Sequence, residues 1–274
     1  MPHPDDFAAG TVWLVGAGPG DPELLTRKAE RRLRTADIVF HDALVGPAIL
    51  DLIPSGAVCV SVGKRSGRHS VPQEQTNALI VAAALDGARV VRLKGGDPSV
   101  FGRSAEEIGA LGAAGVAVRI CPGVTTASAA AASAGVSLTL RGASRRLTFV
   151  TAHARAGDTL RLDWPALAAA DTTLAIYMGR AAAPTIMAEL IAAGADPATP
   201  VLVAVDVSLP GERLIHGRLD ALAFLVRAIS EESPTVILIG AATARAGGQA
   251  MAEPSVMESL PGLDRLLGSR HPSA

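Results

Sequence analysis

Aromatic side chains are scarce: two Trp, one Tyr and five Phe make up 3% of 274 residues. That leaves little to stack against the bases of single-stranded nucleic acid. An excess of one charge is missing too, because 25 Lys and Arg offset 26 Asp and Glu for a net charge of −1. Such a balance argues against a surface that holds duplex nucleic acid by neutralising phosphates. Both figures are averages, and a local basic pocket stays open. Cysteine is nearly absent, and Cys59 and Cys121 lie in apolar, strand-like runs (AVCVSV, VAVRICPG) without a C-x-x-C pair. They read as buried thiols in a reducing compartment rather than a disulfide. No apolar run reaches the roughly 18 to 20 residues that span a bilayer. The first ten residues hold two acidic side chains and no apolar core, unlike a secretory leader. A soluble cytoplasmic protein with no membrane and no nucleic-acid partner is expected. Six scattered histidines and no paired Cys/His spacing predict no metal site, and G-x-x-x-x-G-K-[ST], H-E-x-x-H and G-x-S-x-G are all missing.

What is present is apolar: 49% hydrophobic against 19% charged residues, enough for a sizeable core. The length allows one large domain or two ordinary ones. Apolar runs at 11–15, 37–40, 58–62, 89–93 and 116–120 read as strands, with helical spacing at 23–35, 73–85 and 104–114 between them. Strands apolar throughout suggest a parallel sheet covered on both faces. After an aperiodic stretch at 135–146 a second series begins, with strands at 147–151, 172–178, 201–207 and 235–239 and helices at 181–193 and 219–228. The expected organisation is α/β: two α/β domains with mostly parallel sheets, spanning 1–145 and 146–245, then a peripheral tail at 246–274.

Two Gly-Asp-Pro turns follow strands. VGAGPGD (15–21) invites a dinucleotide-binding reading, but its sixth position is Asp21 rather than Gly. Pro19 and Pro22 also remove backbone donors that a pyrophosphate needs. Asp21 reads as a helix cap. RLKGGDPSVFGR (92–103) brings paired glycines, where backbone can come close to a ligand, and Asp97, which can accept from hydroxyls or an ammonium. Two such turns at strand ends of one parallel sheet point to a shared crevice. A nucleoside with a cationic amino-acid arm fits them better than a dinucleotide. PGVTTASAAAASAG (122–135) places Thr125 and Thr126 at the start of a helix of small residues, equally a plain N-cap and a binding turn. Lys64, Arg65, Arg68, His69, Arg103, Arg141, Arg145 and Arg146 put positive charge in loops, which suits a polycarboxylate small molecule. Asp42 ends a strand and is either a general base or a turn residue.

Read in order, these segments, with HDALV, GKRSGRHS, GGDPSVFGR and IYMG, resemble the tetrapyrrole methylase family over roughly residues 11–242. The resemblance implies the class III methyltransferase architecture, with S-adenosylmethionine folded into the cleft between two domains and S-adenosylhomocysteine as its product. It also implies a homodimer and a tetrapyrrole substrate. HDALV, GKRSGRHS and GGDPSVFGR point within the family to two successive C-methylations of uroporphyrinogen III, at positions 2 and 7, giving precorrin-2 for sirohaem or cobalamin; the alternative is the same fold acting on a later precorrin or, less in keeping with the charge, on ribosomal RNA. By that likeness Pro19, Gly95, Gly96, Asp97, Val100, Thr125, Thr126, Met178 and Val207 line the cofactor. Asp42 matches the family's base, and Lys64 its acid or substrate-carboxylate partner; Arg65, Arg68, His69, Arg103 and Arg141 would orient the substrate. The stretch AVDVS (204–208) departs from the V-E-N-A-S or V-E-N-G-T of many relatives, and Val207 stands where a small residue is common.

Overall fold

The computed structural model describes residues 7–63, 72–152 and 160–244. Five strands build the first sheet: β1 (Thr11–Gly16), β2 (Ile38–His41), β3 (Val58–Ser61), β4 (Val90–Lys94) and β5 (Ala117–Cys121). Their order is β3-β2-β4-β1-β5, and every ladder is parallel. Helices α1 (Arg27–Thr35), α2 (Pro47–Leu50), α3 (Gln73–Leu85) and α4 (Ser104–Ala113) fall between these strands. Side-chain alternation along β1 explains its unbroken apolar run: Trp13 and Val15 pack with Ala29 and Leu33 of α1 on one face. Val12 and Leu14 pack with Ile80 of α3 and Leu111 of α4 on the other.

Apolar spacing alone reads 23–35 as one helix, but the chain breaks it. Pro22–Leu24 is a 3₁₀ turn capped by Asp21, whose Oδ1 accepts from Glu23 N–H at 2.9 Å. Thr26 then caps α1, accepting from Ala29 N–H at 3.1 Å. Cys121 is buried as expected, whereas Cys59 is exposed. Its strand β3 lies at the sheet edge, where apolar composition does not guarantee a covering layer.

The second sheet holds β6 (Arg146–Thr151), β7 (Thr172–Tyr177), β8 (Pro200–Val205), β9 (Arg213–Arg218) and β10 (Thr235–Ile239), in the order β6-β7-β10-β8-β9. Helix α5 (Thr126–Ser133) precedes this sheet in the chain, and α6 (Trp164–Leu167), α7 (Ala183–Ala192) and α8 (Leu222–Leu225) lie within its span. Only β6 and β7 pair in parallel; the three other ladders are antiparallel. The α/β class and the overall majority of parallel ladders hold, with the antiparallel ones gathered here. Strand β9, RLIHGR, escapes sequence reading because it is a polar edge strand interrupted by Gly217. That glycine is needed for packing, since a Cβ there would sit 2.6 Å from Leu225 Cδ1 of α8.

Again both faces are covered. Val201, Val203 and Val205 of β8 pack with Ile186 and Leu190 of α7. Leu202 and Ala204 meet Ala127, Ala130 and Ala131 of α5. Helix α5 leaves the first sheet's last strand and buries its alanine face on the second sheet, so the small residues serve close helix–sheet approach.

At the opposite end of the first sheet from its loops of interest, Asp37 joins the starts of β2 and β4. Its carboxylate accepts from Arg89 N–H at 2.8 Å, Nε at 3.0 Å and Nη2 at 2.7 Å. These bonds hold its pKa down, from 3.8 to about 2. A depressed carboxylate pKa stabilises the fold above the unfolded value, and that contribution disappears as pH falls through the folded one. Asp37→Asn should therefore lower the unfolding midpoint near neutrality and flatten its fall between about pH 4 and 2, checked by urea titrations at stepped pH. Equal slopes in both proteins would refute the assignment.

Candidate active site

The carboxyl ends of β1, β4 and β5 converge on three glycines. A Cβ on Gly16 would lie 2.6 Å from both Gly123 Cα and Gly96 O, and one on Gly123 would also collide with Gly96 O. Gly18 and Gly96, both with φ +67°, pair across the two Gly-Asp-Pro turns. Gly96 N–H donates to Gly18 O at 2.7 Å, and Gly18 N–H to Gly96 O at 3.2 Å. The shared crevice expected at these strand ends is thus a single hydrogen-bonded junction. Asp97 braces it: Oδ1 accepts from Ser99 N–H at 2.7 Å and Oδ2 from Gly123 N–H at 3.0 Å.

Above this junction lies a cavity of about 220 Å³, lined from the first sheet by Pro19, Asp42, Lys94, Gly95, Gly96, Asp97 and Val100. Thr125, Thr126, Tyr177, Met178, Asp206 and Val207 close it from the other side. A second, larger cavity of about 720 Å³ adjoins it, sharing Leu44, Thr126, Tyr177, Met178 and Leu209. All nine residues expected at a cofactor line the first cavity. Val207 does so with little surface, being 3% exposed and packed against the α5 alanines. Its extra methyl groups therefore fill the core more than the cavity.

Backbone strain concentrates here. Five non-glycine residues among those described have positive φ, and three of them (Phe101, Met178, Asp206) line the cavity, while Arg103 and Ser208 lie within two residues of it. Tyr177 Oη accepts from Ala127 N–H at 3.1 Å, and its ring packs on Phe101 at 5.2 Å. Burial is the main reason its phenol pKa is raised. Further ties cross the cleft: Asp21 N–H donates to Ser208 Oγ at 3.0 Å, and Ser133 Oγ to Glu212 Oε2 at 3.1 Å.

Beneath the cavity is a buried ionic group that the sequence reading did not find. Glu107, fully buried on α4, accepts from Arg92 Nε at 2.9 Å and from Lys94 Nζ at 3.0 Å to each oxygen. Arg92 Nη2 also donates to Asp42 Oδ1, and Nη1 to Leu93 O at 3.0 Å. Desolvation, with Arg92 beside it, lowers the Lys94 pKa; Glu107 and Asp42 oppose the shift. The available signal was Arg92 and Lys94 two residues apart in an apolar strand, hence on one face.

The basic loops fare differently. Lys64, Arg65, Arg68 and His69 lie outside the described residues. Arg103 is bonded through Nε and Nη2 to Glu106, both at 2.7 Å, and Arg141 is exposed; neither lines the two cavities. Arg146 begins β6 and pairs with Asp171.

Fold and cavity define an α/β protein with a cavity between a parallel and a mixed sheet, at the carboxyl ends of strands. The family model of Tetrapyrrole (Corrin/Porphyrin) Methylases matches residues 11–223. The chain belongs to that family. It is 46% identical over 231 residues to a siroheme synthase of Hahella chejuensis, covering 84% of this chain and 49% of that protein. A siroheme synthase of Gluconacetobacter diazotrophicus shows the same identity and coverage. The chain thus spans about half the length of the curated relatives it matches. Among solved structures, a uroporphyrin-III C-methyl transferase from Thermus thermophilus complexed with S-adenyl homocysteine is similar at 39% identity and TM-score 0.72, covering 85% of this chain and 98% of that one. A cobalt precorrin-4 methyltransferase, CbiF, reaches TM-score 0.77 at 28% identity, with 89% and 99% coverage.

Removing Glu107's charge would leave two buried cations with only Asp42 to share. Breaking a buried pair of this kind costs about 3–5 kcal/mol. Glu107→Gln should lose about that much in chemical denaturation, and a loss under about 1 kcal/mol would show that the group is well hydrated.

Proposed function

We propose that the chain is an S-adenosylmethionine-dependent C-methyltransferase that converts uroporphyrinogen III to precorrin-2. Residues 1–145 would supply the catalytic and most cofactor groups, and 146–245 the adenosine side. Work in the cytoplasm as a homodimer belongs to the same reading. One observation carries most weight. A Cβ on Gly95 would meet only Leu44 Cβ at 3.5 Å, and one on Gly96 only Thr126 Oγ1 at 3.9 Å. No protein atom demands the missing side chain at Gly95, so the open space there serves a ligand. Carboxylates, hydroxyls and peptide groups without a phosphate cradle suit a nucleoside carrying a cationic arm. The similarity to a methyl transferase complexed with S-adenyl homocysteine supports the same ligand.

When bound, the cofactor would supply a methyl group made electrophilic by its sulfonium. The chain's part is alignment, which can remove several kcal/mol of barrier. Pro19, Gly95, Gly96 and Val100 shape one wall, Thr125 and Thr126 the α5 end, and Met178 and Val207 the far side. Asp97 acts through the turns it braces. Asp42, with Oδ1 held by Arg92, would accept through Oδ2 the proton that leaves the alkylated pyrrole carbon. Lys64, Arg65, Arg68 and His69 would bind substrate carboxylates, with Arg141 and, after release from Glu106, Arg103 at the rim.

A second reading, methylation of a later precorrin, draws on the TM-score to the cobalt precorrin-4 enzyme. The higher identity to the uroporphyrin-III enzyme favours the first. Incubation with S-adenosylmethionine and uroporphyrinogen III should yield a dimethylated product by mass spectrometry. Cofactor binding with no such product would transfer the assignment to the later substrate.

Two variants divide the roles. Gly95→Val should cut S-adenosylhomocysteine affinity at least tenfold in calorimetry while the melting temperature stays within about 2 °C, roughly 0.5–1 kcal/mol for a chain this size. Asp42→Ala should leave that affinity nearly intact while turnover falls about a hundredfold, the scale of a lost general base. Full turnover in Asp42→Ala would remove it from the base role.

A further inference from the structure

Four charged side chains line the smaller cavity: Asp42, Lys94, Asp97 and Asp206. Three are already answered by the protein. Asp42 has Arg92, Lys94 has Glu107, and both oxygens of Asp97 accept backbone N–H groups. Asp206 stands apart. Among the described residues its carboxylate has no hydrogen bond and no ion pair. Its backbone is fully committed, with N–H donating to Pro234 O at 2.9 Å and C=O accepting from Leu209 N–H at 3.0 Å. The carboxylate is therefore the polar group that Asp206 has left to offer a ligand. The residue also holds φ +50°, a conformation that costs an L side chain energy.

We infer that Asp206 makes the cavity discriminate by charge, favouring a cationic sulfonium ligand over the neutral thioether it becomes. The inference rests on the methyltransferase reading. As the methyl passes from sulfur to the pyrrole carbon, the C–S electron pair returns to sulfur and its positive charge disappears. The carbon takes the methyl and releases a proton. A carboxylate without a protein counter-charge attracts the sulfonium ligand more strongly than the thioether, since both keep the same amino-acid arm and differ by the charge on sulfur. It thereby weakens hold on the product at the moment the reaction is complete. Two neighbouring carboxylates, Asp42 and Asp97, add to the same field but are satisfied locally.

Asp206→Asn is a near-isosteric test, because asparagine tolerates positive φ as well as aspartate does. Calorimetric dissociation constants for S-adenosylmethionine and S-adenosylhomocysteine would be measured for the full chain and this variant. The expected result is a three- to tenfold weakening for S-adenosylmethionine, with S-adenosylhomocysteine changed less than twofold. Parallel changes in both, or none, would overturn the inference while leaving the methyltransferase reading standing. Failure of the unaltered chain to bind either ligand would instead sink that reading, and this one with it. Should the variant fail to fold, salt answers the question in the unaltered chain. Raising ionic strength should weaken S-adenosylmethionine at least threefold more than S-adenosylhomocysteine, and equal salt dependence would overturn the proposal.

Discussion

The junction of Gly16, Gly96 and Gly123 is the constraint on which the site depends. Three strand ends approach so closely that no Cβ fits at Gly16 or Gly123, while Gly96 turns the chain at φ +67° and presents its carbonyl to both. The result is a cavity floor made of backbone, fixed by reciprocal bonds between Gly18 and Gly96 and braced by Asp97. A floor built this way does not swing on rotamers. It sets the height of Gly95 and the start of α5 together, because Asp97 reaches Gly123, three residues before Thr126. Alignment of two reactants, which is most of what a methyl transfer asks of a protein, needs that rigidity.

Charge follows the same economy. Arg92 and Lys94 sit 5% and 3% exposed in a central strand, where an unpaired cation would be prohibitive. Glu107 makes both tolerable, and Arg92 passes the connection on to Asp42 at the cavity. Asp42, Arg92, Lys94 and Glu107 sum to zero charge, two of them at the cavity and two behind it. The negative charge left at the cavity is that of Asp97, whose oxygens are held by backbone N–H groups, and of Asp206, whose carboxylate has no partner among the described residues.

The fold was readable where periodicity and burial agree. The strands of the first sheet are apolar runs broken chiefly by Arg92 and Lys94, and nine of the ten described strands show such runs. What failed has physical causes. Pairing direction is not encoded in a strand's apolar pattern, so the antiparallel ladders of the second sheet were invisible. Polar edge strand β9 carries no run to find, and Cys59 sits in an apolar run on an edge with no cover. The site was legible through glycines and short turns, whose spacing is local. Its ionic support was not, since Asp42, Arg92, Lys94 and Glu107 come from three separate elements. Asp97 shows the limit best: its position was evident, but only the folded structure reveals that both its oxygens serve the turns.

The two sheets divide the work by their topology. A parallel sheet leaves all its carboxyl ends on one edge, and the loops there form a crevice without further design. The mixed sheet has no such edge, and it contributes instead a wall: Tyr177 and Met178 after β7, and 206–209 after β8. That wall is held to the crevice by few polar bonds, Tyr177 to Ala127, Ser208 to Asp21 and Glu212 to Ser133. Helix α5 supplies the apolar part, its alanines flush against the second sheet. Of the five described non-glycine residues with positive φ, Met178, Asp206 and Ser208 sit on this wall, while Phe101 and Arg103 follow β4 on the crevice side, so strain is stored on both sides of the cavity. A backbone floor fixed by the glycine junction and a wall tied to it by few polar bonds divide the work of the site, the floor setting the alignment and the wall completing the cavity.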